Sequence, residues 1–192
     1  MIDSLEGTLT SKTPAEVTVQ VSGLGYRAHV PLSTFSALPA VGDPVRLLTH
    51  LYVREDQIKL YGFASEAERE LFLMLLGVNR VGPAVAIQVL SSCPVEQFRR
   101  LVGAGDVARL SSMVKGVGKK TAQRLVLELR GELAMEEEDR EVEAGRATAD
   151  VVKALISLGE TPASARKLVR HAAKKLGPDA DEEALMREVL SG

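Results

Sequence analysis

Gly116-Val117-Gly118-Lys119-Lys120-Thr121 decides how this chain is read, because a reduced copy of the same turn, Val81-Gly82-Pro83, stands earlier inside a helical stretch. Glycine flanking one apolar residue lets the backbone reverse tightly, at φ > 0 where needed, while the apolar side chain anchors the turn in the core. The helix that follows presents N–H groups without intrahelical partners, together with the positive end of its dipole, which suits a phosphate. Lys119, Lys120 and Thr121 add two cations and a hydroxyl where the dipole disfavours cations. A bound anion would explain that exception, so the pattern points to nucleic-acid backbone.

A nucleotide-binding P-loop is excluded by spacing. That pattern needs a glycine with four residues between it and its Gly-Lys-Ser/Thr group, whereas Met113 holds that place and Lys120 separates Lys119 from Thr121. No NTPase activity is expected of this chain.

Working outward, Ser65 with Glu68 three residues later forms a capping box that opens an apolar helix through Leu71, Phe72, Leu75 and Leu76. Helical periodicity continues to about Leu133, with apolar faces at Val85, Val89 and Leu90, at Leu101 and Val102, and at Leu125, Val126 and Leu129. Residues 64–135 therefore read as an all-α domain holding a duplicated helix-hairpin-helix unit.

Before it, 1–63 read as β. Ile2 to Leu9, Glu16 to Val21, Tyr26 to Val30, Val45 to Val53 and Gln57 to Tyr61 are apolar or β-branched runs separated by turn signals such as Ser22-Gly23 and Gly42-Asp43-Pro44. Five short strands in so few residues suit a small closed barrel of the oligonucleotide-binding (OB) type. After the helical domain, 136–147 opens with Glu136-Glu137-Glu138-Asp139 and reads as an acidic, flexible linker, with a short helical extension as the alternative. Ala149 to Leu158, Pro162 to Leu176 and Glu182 to Leu190 then make a three-helix (UBA-like) module over 148–192, with Thr161 and Asp181 as N-caps. Val151, Leu155, Leu158, Leu168 and Val189 are its expected core. A core this small is marginal, so the module is expected to bind a partner.

The chain is 45% hydrophobic and 26% charged, an ordinary globular composition. Its net charge of −2 hides a pattern: residues 64–135 carry 10 basic and 7 acidic side chains, against 5 and 6 in 1–63, 2 and 6 in 136–147 and 7 and 7 in 148–192. The one positive segment holds both turns, which is compatible with phosphate binding there and repulsion elsewhere. No targeting or membrane-spanning pattern is read, and a cytoplasmic location is expected. Cys93 is the only cysteine, which excludes an internal disulfide and a cysteine-rich metal site; it reads as a small buried apolar residue.

Arg54-Glu55-Asp56-Gln57 lies between two strand-like runs, which places Glu55 and Asp56 at a hairpin tip. On the residues alone this is a solvated acidic turn or, functionally, a pair of carboxylates that repel phosphates; no further ligand at metal spacing accompanies them. His29, His50 and His171 stand in separate segments, and no nucleophile and base constellation is visible.

With barrel, acidic hairpin, twin glycine turns and helical tail placed in order, the whole chain resembles the RuvA family, the Holliday-junction-binding subunits of the bacterial branch-migration machine. Leu51-Tyr52-Val53-Arg54-Glu55-Asp56, then Leu60-Tyr61-Gly62-Phe63, and Gly116-Val117-Gly118-Lys119-Lys120-Thr121-Ala122 carry the resemblance. It implies a non-catalytic homotetramer, working in recombination, DNA repair and the SOS response, that holds an open four-way junction. It further implies an acidic pin of Glu55 and Asp56, a 148–192 module that docks the hexameric RuvB ATPase, and RuvC resolvase as a further partner. By position, Gly82, Gly116, Gly118, Lys119, Lys120 and Thr121 would contact phosphates, with Arg54 joining them at the barrel hairpin. The first turn departs from the family pattern: Arg80 stands where glycine is usual and Ala84 where many relatives have a basic residue. Arg80 would compensate by reaching a phosphate itself, although a positive φ there would be strained.

Two other classes remain open on the residues. A helix-hairpin-helix glycosylase or lyase needs a lysine or aspartate in a helical pocket, and the stretch after Thr121 offers Glu128 but no aspartate before Asp139. A purely protein-binding module would show no preference for four-way over linear DNA.

Overall fold

A computed structural model describes residues 1–144, 146–160, 162–177 and 180–191, with side chains described for all of these but 132, 134–144, 146, 147, 162, 163 and 191. The chain forms two compact units, Met1–Arg130 and Gly131–Gly192. The first opens with strands β1 (Ser4–Lys12), β2 (Glu16–Val21), β3 (Leu24–His29), β4 (Pro44–Arg54) and β5 (Gln57–Phe63). They close into a barrel in the order β1-β2-β3-β5-β4, in which β3 with β5 is the parallel pair, through His29 and Tyr61. Alternation places Val17 and Val19 inward with Leu5, Leu9, Ala28, Val45, Leu47 and Leu60, and these form the barrel core.

The sequence pattern finds all five strands but not helix α1 (Leu32–Ala37), which sits between β3 and β4. Six residues are too few for a helical period to stand out, and the cap position, Pro31, makes no side-chain capping bond.

Helices α2 (Glu66–Gly77), α3 (Pro83–Ser92), α4 (Val95–Ala104), α5 (Val107–Met113) and α6 (Lys119–Ala144) follow. Ser65 caps α2 by accepting from the Glu68 N–H at 3.3 Å. The reciprocal arm of the capping box goes elsewhere: the buried Glu68 carboxylate accepts from the Ala64 N–H at 3.1 Å, the Thr34 hydroxyl at 2.7 Å and the Ser33 hydroxyl. Thr34 also accepts from Ala64 N–H at 3.1 Å. One carboxylate thus ties α1 and the end of the barrel to α2, and its burial is offset because both oxygens are satisfied. Leu71, Phe72 and Leu75 fill the α2 side of the joint, where the Phe72 ring lies 5.0 Å from both Tyr61 and Phe63.

Helix α6 continues to Ala144, so the stretch 136–144 read as a linker is helical in its backbone. The second unit holds α7 (Arg146–Ser157), α8 (Pro162–Leu176) and α9 (Glu182–Ser191) around Val151, Val152, Leu155, Ala165, Val169, Ala172 and Leu185. Asp181 caps α9, accepting from Ala184 N–H at 2.8 Å; the Thr161 cap lies outside the described residues. Two expected core residues are corrected. Leu158 is 70% exposed because α7 ends before it, at a turn closed by Gly159 with φ +100°. Leu168 is 37% exposed, since its neighbour Val169 takes the inward place one step around the helix. Val189 is partly buried against the core.

Candidate nucleic-acid interface

The two turns are copies in geometry. Val81 N–H donates to Val78 O at 3.0 Å, and Val117 N–H donates to Val114 O at 3.0 Å. All four valines are buried and pin the turns from beneath. The first bonds that span a full helical turn are Ala86 N–H to Gly82 O at 3.1 Å and Ala122 N–H to Gly118 O at 2.9 Å. Ahead of them, among the described residues, the amides of Ala84 in one turn and of Lys119, Lys120 and Thr121 in the other keep no backbone acceptor. Neither Gly82 nor Gly118 has a side chain to cap its helix.

The corner preceding each of these glycines has positive φ, +64° at Arg80 and +84° at Gly116. The sequence reading places the strain correctly: arginine occupies a left-handed corner that its counterpart fills with glycine. Gly82 itself is extended, with φ −101°. A Cβ built on Gly82, Gly116 or Gly118 would meet no protein atom within 4 Å, whereas one on Gly62 would overlap the Leu47 side chain. The chain's own packing therefore does not require glycine at 82 and 118, and their outer faces are open to an approaching backbone. Arg80, Lys119 and Lys120 are exposed around these amides and Thr121 is half-buried, giving cations and a hydroxyl beside donors.

The two turns are joined by residues the sequence reading does not single out. Asn79 N–H donates to Glu128 Oε2 at 3.1 Å, and Arg124 Nη1 donates to Asn79 O at 3.1 Å. Arg124 Nε lies 3.8 Å from Glu128 Oε1. The i,i+4 pair on α6 is legible in the sequence, but its partner lies 45 to 49 residues away and leaves no local signal. Lys115, at the place corresponding to Asn79, is exposed beside the second turn.

Arg54 pairs with Gln57 across a two-residue turn, so Glu55 and Asp56 stand at the tip of the β4–β5 hairpin, both exposed. Arg54 folds back: its Nε donates to the Tyr52 hydroxyl at 2.7 Å, with the guanidinium 5.2 Å from that ring. The tip presents two carboxylates without a cation between them. Cys93 is buried, and burial raises its thiol pKa, which keeps it neutral and unreactive. Among the described residues no group of three His, Cys, Asp or Glu is placed to hold a metal ion, and no helix is long and apolar enough to cross a membrane.

The family models agree with this architecture. Residues 1–62 match the RuvA N terminal domain, and residues 72–131 match a SAM-like helix-hairpin-helix tandem. The chain is 43% identical to the Holliday junction branch migration complex subunit RuvA of Syntrophobacter fumaroxidans, over 99% of this chain and 98% of that protein. It is 42% identical to the protein of the same name from Pseudomonas fluorescens, over 100% and 99%, and 44% identical to that of Delftia acidovorans, over 93% and 92%. Barrel, acidic hairpin and tandem turns all fall inside these end-to-end matches, and the chain belongs to the RuvA family.

Proposed function

We propose that this chain binds four-way DNA junctions without regard to base sequence, as the non-catalytic subunit of a branch-migration complex. The observation that carries the reading is the pair of matching turns, whose amides and glycine faces open outward beside cations. Amides and lysines recognise phosphates and ignore bases, so specificity falls to the geometry of the junction. Each turn grips weakly, and a homotetramer multiplies the grip through effective concentration. Glu55 and Asp56 act as a pin at the crossover, where carboxylates repel phosphates and hold the strands apart. Gly82, Gly116, Gly118, Lys119, Lys120 and Thr121 contact phosphates, with Arg80 and Arg54 as further cations. The module 148–192 docks the RuvB motor, and RuvC is a further partner, all in the cytoplasm.

The full-length similarity to branch-migration subunits favours this reading over a glycosylase. So does Glu128, the first acid after Thr121 in the chain, whose carboxylate is engaged by Asn79 and Arg124. A gel-shift competition at fixed salt tests the reading: the chain should prefer a four-way junction to linear duplex of equal length. Equal affinity for the two would reject it, and base release or strand incision on damaged duplex would reject the non-catalytic part.

A further inference from the structure

The clamp on Asn79 has a direction. Arg124 and Glu128 project from α6, the helix that begins at the second turn, and they hold both polar backbone groups of the residue that enters the strained corner of the first. The first turn is already anchored below by buried Val78 and Val81, so the clamp acts on the exposed backbone above that anchor. Lys115 needs no equivalent, because Gly116 takes its corner without strain. Arginine at φ +64° persists only where its surroundings over-determine it. Released, the corner would relax toward negative φ and turn the Ala84 amide away from its present direction.

We propose that Glu128, supported by Arg124, is a positioning residue that locks the two turns into one rigid double grip on DNA. The proposal rests on the junction-binding reading above. It makes a counter-intuitive demand. Glu128 is an acid close to phosphate sites, so if it acted only through its charge, removing it would tighten DNA binding; if it positions the first turn, removing it weakens binding.

The test measures junction affinity of the full-length chain against salt for wild type, Glu128→Ala and Glu128→Gln, with the folded fraction followed by circular dichroism. Glutamine keeps a carbonyl oxygen for the Asn79 N–H. The expected result is about a tenfold loss of affinity for Glu128→Ala, equivalent to about 1.4 kcal/mol. Its salt slope should be shallower by about 0.9 for each phosphate that the first turn no longer neutralises, and Glu128→Gln should recover most of both. Binding that is unchanged or tighter in Glu128→Ala overturns the proposal. So does an equal loss in both variants with an unchanged slope, which would mark a role in folding alone. Absence of junction binding by the wild-type chain would instead reject the underlying reading, and the proposal with it.

Discussion

Arg80 and Gly116 occupy the same corner of the two turns, at φ +64° and +84°. The interval between them also separates Val81 from Val117 and Gly82 from Gly118, so one backbone design is built once with strain and once without. The strained copy is the one that has Pro83 and Ala84 where the other has Lys119 and Lys120. Arg80 thus returns to the first turn a cation that its helix start lacks.

Replacing Arg80 with glycine separates strain from charge. Relief of the left-handed corner is worth about 1–2 kcal/mol, less about 0.5–1 kcal/mol for the added freedom of the unfolded chain. Arg80→Gly should therefore be slightly more stable in urea denaturation while binding junctions more weakly and with a shallower salt slope. Unchanged junction affinity would remove Arg80 from the interface.

Glu55 and Asp56 are exposed at a two-residue turn and support no packing. Glu55→Ala with Asp56→Ala should leave stability within about 0.5 kcal/mol of wild type while tightening or misplacing bound DNA, as read by gel shift and footprinting. A large loss of stability would show the carboxylates to be structural.

Glu68 is the opposite case, a carboxylate 7% exposed that holds Ser33, Thr34 and Ala64 together. Glu68→Ala leaves the buried Thr34 hydroxyl without its acceptor and opens a cavity, so it should cost about 2–4 kcal/mol in denaturant unfolding. A change within about 0.5 kcal/mol would mean that the joint between barrel and helices does not depend on it.

Much of this architecture is legible in the residues, for physical reasons that can be named. The barrel strands show themselves through β-branched alternation, the turns through glycine spacing, and the α2 and α9 caps through Ser65 and Asp181. What escapes depends on tertiary structure. Helix α1 is too short to carry a period, and the hydroxyl partners of Glu68, Ser33 and Thr34, come from a segment more than thirty residues away. The Asn79 clamp joins two ends of a domain that no local pattern connects. Leu158 and Leu168 mislead because apolar character alone carries neither helix ends nor rotation about the axis.

His50 supplies a pH dependence. Partial burial, and then the Arg69 charge, lower its pKa below the ordinary 6.5. Between the lowered folded value and 6.5 the unfolded chain binds more protons than the folded one, so stability rises with pH across that window. The contribution is complete above 6.5 and is lost as pH falls through the folded value. Thermal unfolding midpoints should drop on acidification through this range, and His50→Gln should flatten the drop. An identical pH profile in the variant would contradict the assignment.

Removing residues 136–192 tests the division of labour. The first compact unit ends at Arg130, so the truncated chain should fold and bind junctions as the full chain does, while failing to stimulate the motor ATPase. Loss of junction binding would place part of the DNA-binding surface in the tail.

The central claim is that outward-facing amides and cations of paired turns grip sugar-phosphate backbone, and counterion release measures this directly. Junction affinity of the full-length chain, plotted as log K against log salt, should fall with a slope of about −0.9 for every phosphate neutralised. In the proposed homotetramer eight turns, each taking on the order of one phosphate, would give a slope of several units. A slope near zero would contradict the account.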